Sequence, residues 1–139
     1  MCVKSITDAR GMAPRIDLRL TPDPAAPAQA RRSVDRVAAD LDAEAVDTLR
    51  LLVSELVTNS VRHASLDRTQ WIDLCLETRP EAVRVSVTDP GVGFDRPPDV
   101  PSPGDPSGWG LYLVEQMADR WGVDRNGVTE VWFELELAV

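Results

Sequence analysis

A chain of 139 residues fits one domain, and a hydrophobic share of 43% suffices for a core that buries roughly 68% of the unfolded surface. The 23 acidic against 15 basic residues leave a formal net charge of −8, a balance that repels a phosphate backbone and excludes nucleic acid as a natural partner. Two cysteines, Cys2 near the start and Cys75 in an alternating run, offer neither a disulfide framework nor a zinc site; with no signal peptide and no apolar stretch near the ~18 residues of a membrane helix, the expectation is a cytoplasmic protein without a membrane partner.

Residues Met1–Pro14 show no period and are expected to be a disordered tail ahead of a domain spanning 15–139. Arg15 to Leu20 alternates polar and apolar residues, which predicts a half-buried strand. Thr21 to Pro27 holds three prolines and reads as a connection. Ala30, Val34, Val37 and Leu41 then recur at helical spacing, predicting an amphipathic helix over Ala28–Leu41. Asp42 is placed to cap a longer helix reaching about Ala64, with Glu44 and Asp47 near its positive end. The apolar face of that helix comprises Val46, Leu49, Leu52, Val53, Leu56 and Val57.

Ile72, Leu74 and Leu76, then Val83, Val85 and Val87, alternate with polar residues on either side of Arg79-Pro80-Glu81, predicting an antiparallel hairpin. Asp89 to Gly108 is rich in glycine and proline and reads as a functional loop of about 15 to 20 residues. A short helix over Gly110–Arg120 follows, with Leu111, Val114 and Ala118 on one side. Strands over Trp121–Asp124 and Val128–Leu137 flank Asn126-Gly127, a pair suited to a type I′ turn. This order predicts an α+β two-layer sandwich, a mixed β-sheet covered on one face by helices, without internal repeats.

Three segments carry candidate chemistry. On the long helix, Glu55, Asn59 and His63 follow at i, i+4 and i+8 and share one side. The Asn59 carbonyl is a hard oxygen suited to a Mg²⁺ shell otherwise filled by phosphates and water, and Glu55 can take a proton from an attacking hydroxyl or water. The same residues also fit a polar stripe on a solvated helix. The second segment is Asp89-Pro90-Gly91-Val92-Gly93, at the end of a predicted strand. A shielded carboxylate there accepts a hydrogen bond from the exocyclic amine of adenine, and the glycines permit close approach of a ligand; a plain Asp-Pro-Gly turn is the simpler alternative.

The third is Gly108-Trp109-Gly110-Leu111, opening the short helix, where free N–H groups and the helix dipole favour phosphate. By itself it is also an ordinary loop. No third glycine completes a dinucleotide fingerprint, and no Gly-Lys-Ser/Thr occurs, which excludes a Walker-type phosphate loop.

In combination these segments resemble the ATP-binding domain of the GHKL superfamily, the Bergerat or histidine kinase-like ATPase fold. Glu55-x-x-x-Asn59 matches the N box, Asp89-x-Gly91-x-Gly93 the G1 box, and Gly108-x-Gly110-Leu111 the G2 box. Thr129 to Phe133 resembles the closing strand, whose threonine lies beside the adenine aspartate, and the likeness runs from about Arg15 to Leu137. The resemblance implies ATP and Mg²⁺ as cofactors, with adenine held by Asp89, the ion by Asn59, and the phosphates covered by a proline-rich lid from Phe94 to Gly110. Trp109 would stack on the nucleotide or pack the lid down. His63 would sense phosphate or serve as a core or capping residue.

Among family members, histidine kinases carry a dimerising module with a phosphoacceptor histidine, for which 139 residues leave no room, and the one histidine, His63, sits in the N-box helix. Gyrase-type ATPases need a following domain, equally without room. Leu52 to Asn59 and Ala118 to Gly122 strengthen a likeness to the small anti-sigma factor serine/threonine kinases. That implies a protein kinase acting on a serine of an anti-anti-sigma factor, with Glu55 as general base, a sigma factor as second partner, and a homodimer. The residues fit equally a nucleotide-dependent interaction module without useful catalysis, or a slow stand-alone ATPase.

Overall fold

The computed structural model describes residues 2–7, 14–63, 69–91 and 109–137. Six strands form one sheet: β1 (Cys2–Thr7), β2 (Pro14–Leu20), β3 (Ile72–Thr78), β4 (Ala82–Asp89), β5 (Arg120–Arg125) and β6 (Thr129–Glu136). Their spatial order is β1-β2-β3-β4-β6-β5. Three helices, α1 (Ala26–Val34), α2 (Ala43–His63) and α3 (Trp109–Met117), supply the second layer. The α+β two-layer architecture is as expected. The sheet is not mixed, however: every described pairing is antiparallel. Strand direction across a helical crossover depends on tertiary docking, which periodicity does not encode.

One face of the sheet holds the core. Ile16, Leu18, Leu20, Ile72, Leu74, Leu76, Val83, Val85, Val87, Val131, Phe133 and Leu135 all point there, each two residues from the next on its strand. Helix α2 answers with Val46, Leu49, Leu52, Val53, Leu56 and Val57, all six of the expected face, all buried. Its start is fixed by Asp42, whose carboxylate accepts the Ala45 N–H at 2.8 Å, a cap whose loss costs about 1 kcal/mol. Helix α1 lies against α2 and β2, and its Ala26, Ala30 and Val34 are buried.

Several boundaries differ from expectation. The segment expected to be a disordered tail contains β1, which pairs along its whole length with β2 and extends the sheet beyond Arg15. An edge strand of this kind draws its order from ladder hydrogen bonds, which leave no apolar period to read. Helix α1 starts at Ala26 because Pro27 sits in its first turn, where a missing N–H costs nothing. It stops at Val34: Asp35, Arg36 and Val37 donate to carbonyls three residues back, and a short 3₁₀ turn, Ala38–Asp40, completes the connection. The β3–β4 hairpin turns through Arg79-Pro80-Glu81 as expected, with the Arg79 N–H donating to the Ala82 carbonyl at 2.8 Å. Between β5 and β6 the loop has three residues, since Arg125 pairs with Thr129, so the two-residue type I′ turn is replaced by one with Gly127 at φ 77°.

The opposite face of the sheet is polar, with two arginine–tryptophan contacts among the described residues, the first between Arg19 and Trp71 at 4.8 Å. Arg19 holds Asp73 through two bonds of 2.8 and 2.9 Å, and the Arg84 guanidinium lies 4.2 Å from the Trp132 ring centre. Trp132 lies across Gly122 of the neighbouring strand, so close that a Cβ there would stand 2.8 Å from its Nε1. Gly122→Ala therefore has to tip the ring off the sheet and off Arg84. The expected result is a loss of about 1–3 kcal/mol in urea unfolding, with a shifted tryptophan emission.

Candidate functional site

The C-terminal half of α2, the end of β4 and the start of β6 meet at one end of the sheet. Asp89, the last residue of β4, is paired in register with Thr129, the first of β6, so the expected neighbourhood of these two residues is present. The Asp89 carboxylate is 4% exposed. Its Oδ1 accepts the Gly91 N–H at 2.8 Å and its Oδ2 accepts the Ser60 hydroxyl at 2.7 Å. The Thr129 hydroxyl donates to the Gly91 carbonyl at 3.0 Å. The Asp-Pro-Gly turn is thus a real turn, closed by its own aspartate. It is also a means of presenting a buried, acceptor-only carboxylate that has about four lone-pair positions, of which the described residues fill two.

Glu55 and Asn59 occupy one side of α2, one turn apart. Asn59 is 6% exposed. Glu55 is half-buried, and that burial raises its carboxyl above the ordinary value, with the nearby Arg62 guanidinium pulling the other way. A carboxylate so placed is a better proton acceptor than one in open water. The donor set suits Mg²⁺: one buried amide oxygen, without a cluster of three histidine, cysteine or carboxylate ligands among the described residues, matches an ion held chiefly by phosphates and water.

Leu111 is buried in the core on α3, which packs against α2. The α3–β5 corner is tied to β6, since the Glu136 N–H donates to the Asp119 carboxylate at 2.6 Å and the Asp119 N–H to the Glu134 carbonyl at 3.0 Å; within the corner, the Trp121 indole N–H of β5 donates to Glu115 of α3. Trp109 and Gly110 open α3. Gly93, Gly108, the remainder of the lid and the side chains of His63 and Trp109 lie outside the described residues. Two site residues escaped the sequence reading, Ser60 and Arg62. Arg62 lies seven positions after Glu55, two helical turns along the same side, a spacing that was legible. Ser60 is one position from Asn59 and therefore points about 100° away from it, off the stripe that drew notice.

The fold is a two-layer α+β domain with this constellation at one end. The chain belongs to the histidine kinase-like ATPase domain family, whose signature matches residues 20–135. Solved structures similar to it include these two. The RsbU and RsbW domains of Rv1364c from Mycobacterium tuberculosis match at 19% identity and a TM-score of 0.65, over 87% of this chain and 32% of that one. The histidine kinase domain of the Erythrobacter litoralis EL346 blue-light activated histidine kinase matches at 31% identity and a TM-score of 0.50, over 66% of this chain and 46% of that one. The chain therefore spans less than half the length of either. No curated protein matches it at a significant level. No described helix is long and apolar enough to cross a membrane.

Proposed function

We propose that this chain is an ATP- and Mg²⁺-dependent protein serine/threonine kinase of the anti-sigma factor type, which phosphorylates a serine of an anti-anti-sigma factor and binds a sigma factor. The observation that carries the nucleotide assignment is the Asp89 carboxylate, buried at the end of β4 and hydrogen-bonded at both oxygens. Support for the kinase subclass comes from the N, G1 and G2 box residues, from membership of the ATPase family, and from the fold shared with a chain that carries an RsbW domain.

In this mechanism Asp89 accepts the adenine amine, and Gly91, held by Thr129, leaves room for the base. Asn59 would supply an oxygen to Mg²⁺, which when bound would offset charge on the phosphates. The partner's serine hydroxyl attacks the γ-phosphorus; a new O–P bond forms as the bond to the β–γ bridging oxygen breaks, and ADP leaves. Glu55 takes the serine proton. Phosphoryl transfer asks mainly for positioning and charge stabilisation, so one small domain and a docked partner suffice.

The test is incubation with labelled ATP, Mg²⁺ and a serine-bearing candidate partner. Stoichiometric label on one partner serine is expected. A stable, ATP-dependent complex without label assigns the chain instead as an interaction module, and phosphate release without any partner assigns it as an ATPase.

A further inference from the structure

The bond between Ser60 and Asp89 joins residues 29 positions apart, one on α2 and one on β4, and both are buried, at 7% and 4% exposure. Carboxylate plane rotation is a soft torsion with a broad minimum. A single bond from the Gly91 N–H restrains that rotation only softly. With Ser60 donating at 2.7 Å to Oδ2 and Gly91 at 2.8 Å to Oδ1, the plane is held from opposite ends. Ser60 is also the residue after Asn59, so its hydroxyl links the carboxylate at the base end of the site to the helix that carries Glu55 and Asn59.

We propose that Ser60 is a positioning residue for base recognition: its hydroxyl sets the plane of the Asp89 carboxylate so that a remaining lone pair meets an exocyclic purine amine. This inference rests on the nucleotide-binding reading above. A purely structural Ser60 would instead fill space and tie α2 to β4, and its removal would weaken all nucleotides alike.

Those two roles separate with a nucleotide that lacks the amine. For Ser60→Ala, calorimetry in magnesium buffer is expected to show ATP binding about three- to tenfold weaker, the scale of one ordinary net hydrogen bond, because the amine's own bond to Asp89 is misaimed rather than removed. Purine riboside triphosphate, which has no amine for Asp89 to grip, is expected to bind the variant and the parent protein within twofold of each other. Combined with Asp89→Asn, Ser60→Ala is expected to add no further loss for ATP. Equal weakening of both nucleotides by Ser60→Ala, or an unchanged ATP affinity, overturns the positioning role while leaving ATP binding itself intact. Failure of the parent protein to bind either nucleotide overturns the parent reading, and this one with it. The melting temperature of each variant without nucleotide reports folding independently of both.

Discussion

Glu55→Gln is expected to cut phosphoryl transfer by about 10²- to 10⁴-fold while ATP affinity stays within a few-fold, the range assigned to a positioned proton acceptor. Glutamine keeps the shape and the hydrogen-bonding reach of the side chain and removes only the basic oxygen. Because burial raises the Glu55 carboxyl above its ordinary value, and Arg62 offsets only part of this, the parent rate should climb with pH as the carboxylate forms, with a midpoint above that of an exposed glutamate. That limb should vanish in the glutamine variant.

Stability provides the control. A carboxyl whose folded value is raised contributes stability below the ordinary glutamate range and loses it as pH rises through the folded value. Neutral glutamine escapes that loss, so the variant should melt no lower than the parent at neutral pH. A single-turnover assay with the phosphorylated partner as readout, run across pH, decides the matter. Near-parental transfer by Glu55→Gln removes the general-base role.

The site and the fold were legible in the sequence to different depths. Six apolar residues of α2 at helical spacing and a capping Asp42 placed that helix, because burial on one face and an acceptor at the N-terminus are both local patterns. Alternation placed β3 and β4 for the same reason. What escaped was set by tertiary contact. Strand β1 is held by the ladder it shares with β2, and the antiparallel sense of the sheet is fixed by how α1 and α2 bring the chain back to β3. Ser60 belongs to this group: nothing in its neighbours on α2 announces a partner on β4. Asp89 and Thr129 lie at the other extreme. Motif likeness predicted their adjacency, and the β4–β6 register delivers it.

Asp89→Asn is expected to weaken ATP binding by about 10- to 100-fold, since a charge-assisted hydrogen bond is worth roughly 1.5–3 kcal/mol and every 1.4 is tenfold. The substitution changes one oxygen to an NH₂ group without changing shape. Two placements of that amide exist. With NH₂ toward Gly91, two donors face each other where a 2.8 Å bond had been. With NH₂ toward Ser60, the hydroxyl has to reverse and become the acceptor, and the acceptor that met the purine amine is replaced by a donor. The second placement costs the fold little and the ligand much. Without nucleotide the variant should therefore melt close to the parent. With ATP at 100 times the parent dissociation constant, the parent gains about 2.7 kcal/mol of stability, while the variant should gain only about 0.4 to 1.4 kcal/mol. Calorimetry and thermal shift in the same magnesium buffer measure both halves. A variant that binds ATP as the parent does would remove Asp89 from base recognition and, with it, the reason for the buried bond to Ser60.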